Sequence, residues 1–256
     1  MKILTRMVTI GMVLGATLLL TVTGLMAESS TTYRQTLSAG WTLISVPFTL
    51  ADPAIDAAIK PDSPIDVVME WDAEARMWYV ARRDATTGLF EGDVKSIRPD
   101  TGYFVRATSE TQIGWTQAQP VPTSIQEPTA TKLGLNLVPV LHGSLPMPVA
   151  VAADDYLDGV DWVKAFTFNP ATDKWSTVKR GQTIEVGYGF DNPCTGQPVV
   201  PANVEAGTEP CQATTYEDRD FNKVFTSLDI VEIKAPLFVG NAYWVYTIGD
   251  GAIILK

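Results

Sequence analysis

Histidine is nearly absent from this 256-residue chain: His142, in "VLHGSLP", is the only one. With no second His and no Cys close to it in sequence, His142 anchors neither a triad nor a metal site and reads as structural or solvated. There is no G-x-S-x-G, no H-E-x-x-H and no phosphate-binding glycine loop. Paired carboxylates could serve glycoside hydrolysis, but with 29 acidic residues some pair always lies close, so that signal is empty. No N-x-[ST] sequon occurs. Basic residues are also few, 19 against 29 acids. That balance argues against nucleic acid or an anionic membrane surface as partner, since both require a cationic face. Charged residues make up only 19% and apolar ones 46%, which excludes a disordered body.

Cysteine is scarce as well. Cys194 and Cys211 bracket "CTGQPVVPANVEAGTEPC". In an exported chain they read as a local disulfide closing a loop of about 16 residues, worth roughly 3 kcal/mol on the chain-entropy model. Export is expected from the N-terminus. Lys2 and Arg6 precede the apolar run "MVTIGMVLGATLLLTVTGLMA", and small Ala27 ends it. This is the pattern of a signal peptide spanning residues 1–27. The stretch Met7–Ala27 carries no charge and is long enough to span a bilayer, so an uncleaved anchor is the alternative. The membrane is then a partner only through this segment, and the localisation read is secreted or cell-surface.

What the chain does contain is a pattern written twice. "MEWDAEARMW" (Met69–Trp78) and "FTFNPATDKW" (Phe166–Trp175) both place bulky apolar side chains at the first and third positions. Both put Asp or Asn fourth and Trp tenth. Upstream, "GWTLISVP" (Gly40–Pro47) matches "GLNLVPVL" (Gly134–Leu141). Downstream, "TGYFVRA" (Thr101–Ala107) matches "NAYWVYT" (Asn241–Thr247), and "TQIGWT" and "GAIILK" close the halves. Order, spacing and residue type agree, which reads as an internal duplication. The first repeat runs over 28–116 and the second over 132–256. The Pro-rich stretch 117–131 reads as a linker. The second repeat is longer by about 43 residues between Trp175 and Tyr243, and this insertion holds both cysteines.

Within each repeat the signals are mostly strand. Val67, Met69 and Trp71 alternate with Val68 and Glu70, as in a half-buried strand. Asp72 and Asn169-Pro170 are expected to turn the chain into the partner strand. "YWVYTIGDGAIIL" reads as a hairpin about Gly249-Asp250-Gly251. One short helix per repeat is expected. In the first, Asp52 is the N-cap and Pro53 the first helical residue, before "AIDAAIK". In the second it falls in Pro148–Val160. The fold class is therefore mainly β: two tandem β-rich repeats, sandwich- or barrel-like, each with one short helix.

The aromatics weigh most heavily for function. Trp41, Trp71, Trp78, Tyr103 and Phe104 recur as Leu135, Phe168, Trp175, Tyr243 and Trp244, and recurrence among alternating apolar neighbours favours core packing. Trp115 and Tyr188 lack counterparts and are the candidates for an exposed aromatic binding surface. The acid cluster "DDYLDGVD" (Asp154–Asp161) invites calcium, yet Tyr156 and Ala165 stand where a calcium loop needs oxygen ligands. No cofactor is expected, with an irregular calcium site as the only alternative. Residues 28–37 read as a first strand or as a strand offered to a neighbour's sheet edge.

The combination G-W-x-L-[IV]-S-x-P, short helix, aromatic-Asp hairpin ending in Trp, and G-Y-[FW]-V resembles tandem repeats of exported bacterial and archaeal surface proteins. It is carried by Gly40, Trp41, Leu43, Ile44, Ser45, Pro47, Trp71, Asp72, Trp78, Gly102, Tyr103 and Phe104. The second copy departs at Leu135, Pro139 and Ala242. The resemblance implies a non-catalytic structural or adhesion protein of the envelope or matrix. Its partners would be other envelope proteins, a second copy of itself or polysaccharide. A carbohydrate-binding module, or an accessory subunit of a secreted enzyme, is the alternative.

Overall fold

The computed structural model describes residues 32–118, 129–141, 150–170, 172–187, 213–217 and 230–253. The segment read as a signal peptide, His142, Tyr188, Cys194 and Cys211 lie outside the described residues. The N-terminal half contains β1 (Thr32–Leu37), β2 (Gly40–Ser45), α1 (Ile55–Ala58), β3 (Ile65–Asp72), β4 (Met77–Arg83), β5 (Phe90–Gly92), β6 (Gly102–Ala107) and β7 (Thr111–Thr116). The C-terminal half opens with β8 (Thr129–Thr131), β9 (Gly134–Pro139), β10 (Ala150–Ala152), α2 (Ala153–Tyr156), β11 (Trp162–Asn169) and β12 (Lys174–Lys179). It continues with β13 (Thr183–Gly187), β14 (Ala213–Glu217), β15 (Ile230–Lys234), β16 (Pro236–Phe238), β17 (Ala242–Thr247) and β18 (Gly251–Ile253). The protein is mainly β, its sheets antiparallel, and none of them closes into a barrel.

Strand order runs β2-β6-β3-β4-β5 in the first half and β9-β17-β11-β12 in the second. Each half also pairs its first strand with its last, β1 with β7 and β8 with β18. Local geometry agrees at matching places. Gly40 and Gly134, which open β2 and β9, have φ of 101° and 107°. A side chain there is strained, because left-handed backbone presses Cβ against the neighbouring carbonyl. Arg76 and Asp173, each two residues before the Trp of its hairpin, have φ of 54° and 53°. The Asp72 carboxylate accepts from the amides of Glu74 (2.9 Å) and Ala75 (2.8 Å), so the expected turn is made by its side chain. The Tyr103 phenol accepts from the Arg98 amide (2.8 Å) and the Tyr243 phenol from the Phe238 amide (3.1 Å), each five residues upstream. Burial pushes both phenols above their ordinary range.

Three expectations need correction. α1 starts at Ile55 with Ala54 as N-cap, not at Asp52. The Ile97 amide bonds the Pro53 carbonyl and the Ile55 amide bonds the Lys95 carbonyl, so this stretch is held extended against residues 95–97. Asp52 only closes a turn onto the Ala54 amide. In the second half, residues 150–152 form β10, paired to β16, and the helix is confined to Ala153–Tyr156. Finally, β17 and β18 do not make a hairpin; β18 crosses to β8, whose residues fall within the stretch read as linker. The Ile248 amide bonds the Asp161 carbonyl and the Leu133 amide bonds Asp250, which turns the chain off the sheet.

Each half buries one face of its sheet. Val68, Tyr103, Val105, Ile113 and Trp115 lie in the first core; Val138, Trp162, Ala165, Tyr243 and Val245 lie in the second. The opposite faces meet. β2, β3 and β6 approach β9, β11 and β17, and Leu43, Leu137 and Ala242 are buried between them with Trp71, Trp78, Phe104 and Trp244 packed around. Ser45, fully buried, ties the halves: its hydroxyl donates to the Asn241 carbonyl (2.8 Å) and its amide to the Gly240 carbonyl (2.7 Å).

Candidate functional site

The two ends of this shared face are unequal. Strand alternation places Trp78, Trp71 and Phe104 on the facing side of the first sheet and Trp175, Phe168 and Trp244 at the matching places of the second. At one end Trp71 and Trp78 pack edge-on against Trp244, with centroids 5.7 and 5.6 Å apart, and the Trp71 indole donates to the Leu135 carbonyl at 3.0 Å. Phe104, 6.4 Å from Trp78, also stacks on Trp41 (4.7 Å) within its own half. The rings of β11 and β12 contact one another instead: Phe168–Trp175 at 5.3 Å and Phe166–Trp175 at 5.5 Å. Trp175 is left 52% exposed, although recurrence argued for core; its counterpart Trp78 is covered by Trp244.

Beside these rings lies a groove of about 520 Å³ between the halves. Gln35, Thr36, Ser38, Thr42 and Leu43 form one wall. Phe168, Asn169, Ser176, Thr177, Gln182, Phe238 and Asn241 are among the residues of the other. Its base is fixed by β1. The Tyr33 hydroxyl donates to the Val239 carbonyl (3.0 Å), and the Gln35 carboxamide donates to the Gly240 carbonyl (3.0 Å) and the Asn241 side chain (3.3 Å). Gly240, at φ 86°, has to be glycine: a Cβ there would lie 2.2 Å from the Tyr33 hydroxyl. Residues 32–37 thus pair with β7 of their own chain and brace this groove.

Trp115 is not part of an exposed surface. It is 1% exposed, because in β7 Ile113 and Trp115 point inward while Gln112, Gly114 and Thr116 point out. The acid cluster is engaged by protein groups. Asp154 accepts from the Gly181 amide (3.0 Å), Asp155 pairs with Lys234 (2.8 Å) and Asp161 with Arg180 (2.6 Å). Among the described residues, no group of three or more His, Cys, Asp or Glu could hold a metal ion. A second groove, of about 600 Å³, lies between β1–β7 and the α1 region and is lined by Arg34, Asp52, Lys60 and Asp62 among others.

Sequence reasoning passed over Phe166, Phe168 and Trp175 as binding residues. The available signal was the departure of the second copy from the pattern: Leu135 and Ala242 replace residues of the first copy on this same face. No family model, curated protein or solved structure matches the chain.

Proposed function

We propose that the chain is a non-catalytic secreted or cell-surface protein with a structural or adhesive role in the envelope or extracellular matrix, built from a duplicated β-rich unit. The observation that carries this reading is Trp175, 52% exposed beside the half-buried Phe166 and Phe168, where its counterpart Trp78 packs against Trp244. Exposed Trp on a paired strand offers a large, rigid contact area, and exposed apolar surface of this kind marks binding sites. The basic, apolar and small-residue order of the N-terminus supports export. The matching strand orders β2-β6-β3-β4 and β9-β17-β11-β12 support the duplication.

A carbohydrate-binding module, or an accessory subunit of a secreted enzyme, is the second reading, and the same exposed rings favour it. Co-sedimentation with isolated cell envelopes tests adhesion. The wild-type protein is expected in the pellet and W175A largely in the supernatant. Failure of the wild type to pellet at any concentration, or equal pelleting of W175A, would overturn the role given to this face.

A further inference from the structure

We infer that the groove between the halves is a binding site for a neutral polysaccharide, with Phe168 and Trp175 as its stacking platform. The inference rests on the adhesive reading and gives its partner a chemical class. Charged residues make up 19% of the chain, yet among the described residues no Asp, Glu, Lys or Arg lines this groove. The other large groove carries Arg34, Asp52, Lys60 and Asp62. The polar part of its lining is hydroxyl and carboxamide, Ser38, Thr42, Ser176, Thr177, Gln182 and Asn241 among them, beside apolar residues such as Leu43, Val178 and Ile184. These groups both donate and accept, which matches sugar hydroxyls and provides no counter-charge for a carboxylate or sulfate. Two lining residues have an oxygen without a protein partner, Gln35 Oε1 and Thr42 Oγ1.

The rings supply the second element. Phe168 and Phe238 line the groove, and Trp175 lies directly opposite Phe168 on the neighbouring strand. Their apolar faces suit the C–H faces of a pyranose, while Thr177, on the same sheet face, suits its hydroxyls. The lysines of this sheet face, Lys164 and Lys179, oppose one another four residues from Phe168 and Trp175 along the strands and are not groove residues. An anionic polymer would need them at the groove. An extended peptide would instead add to the edge of β12 through its backbone.

Affinity electrophoresis of the full secreted chain tests this. Native gels are cast with neutral polysaccharides (mixed-linkage glucan, xylan, galactomannan, glycol chitin) or with alginate. The wild type is expected to be retarded in at least one neutral gel and not in alginate. W175A is expected to weaken that retardation at least tenfold, with unchanged thermal unfolding confirming the fold. L133S, at an exposed site remote from the groove, is expected to behave as wild type. Retardation in alginate alone, in no neutral gel, or undiminished in W175A would each overturn the inference. If W175A still loses envelope co-sedimentation while no neutral gel retards the wild type, the neutral-glycan inference fails and the adhesive reading stands. If the wild type neither pellets nor is retarded, both fail.

Discussion

Gly102 and Ala242 hold the same place in their halves, one residue before a buried Tyr, and they lie against each other where the two sheets meet. A Cβ added to Gly102 would fall 2.9 Å from the Ala242 Cβ and 2.9 Å from Leu137 Cγ. The pairing of two small residues lets the backbones approach closely enough for the Trp71, Trp78 and Trp244 rings to interlock beside them. The departure of Ala from Gly at position 242 is thus a one-methyl filling of a space that Gly102 leaves.

Gly102→Val should destabilise the protein by roughly 1–3 kcal/mol, because overpacking here pushes the sheets apart. Chemical denaturation reads the change. A variant as stable as wild type would mean the interface has slack that the close approach of Gly102 to Ala242 does not suggest.

The two hairpin tryptophans should behave differently. Trp78→Ala removes a ring packed on Trp71, Phe104 and Trp244 and should cost about 2–3 kcal/mol. Trp175→Ala removes a ring that is half exposed and should cost about 0.5 kcal/mol. Equal losses in thermal unfolding would contradict the asymmetry of the shared face.

Ser45→Ala should cost only about 1 kcal/mol, although the residue is fully buried. The Asn241 carbonyl that loses the Ser45 hydroxyl still accepts from the Val140 amide at 3.0 Å. A loss several times larger would mean that the hydroxyl is the main tie between the halves.

Acid should weaken the first half through Asp66. Its hydrogen bonds from Arg106, opposed by partial burial and aided by the Arg106 charge, hold its carboxyl below the usual range. A carboxyl lowered in the folded state contributes stability that is present above its unfolded pKa and is lost as pH falls through the folded value. Asp72, held down first by the Ala75 amide, acts with the same sign. Glu70 acts oppositely: burial raises it against the pull of Arg98, so its protonation favours the folded state. Asp66→Asn should flatten the decline of stability below about pH 4. An unchanged acid limb would assign that decline to other carboxylates.

Much of the strand framework could be read from residue order, because alternation reports a two-faced strand directly. β3, for example, follows from Val67, Met69 and Trp71, and its turn from the carboxylate of Asp72. Alternation does not report what covers the second face. Trp78 and Trp175 are equivalent in the repeat pattern, and only the placement of Trp244 makes one covered and the other exposed. Trp115 was misread because lacking a counterpart says nothing about direction, whereas its in-phase neighbour Ile113 did point to the core. The helix start was lost to long-range pairing, since the bonds from Ile97 and Ile55 that hold residues 53–54 extended join segments some forty residues apart. The same holds for Gly249–Gly251, after which β18 pairs with β8 and does not fold back on β17.

The groove is tested most directly by following the indole N–H resonances of the seven tryptophans while a neutral oligosaccharide is titrated in. The expected result is a saturable shift of the Trp175 resonance that exceeds any shift of the half-buried Trp71 and Trp78, with buried Trp115 unmoved. A titration that leaves Trp175 in place, or moves all seven alike, would contradict a glycan site at the open end of the shared face.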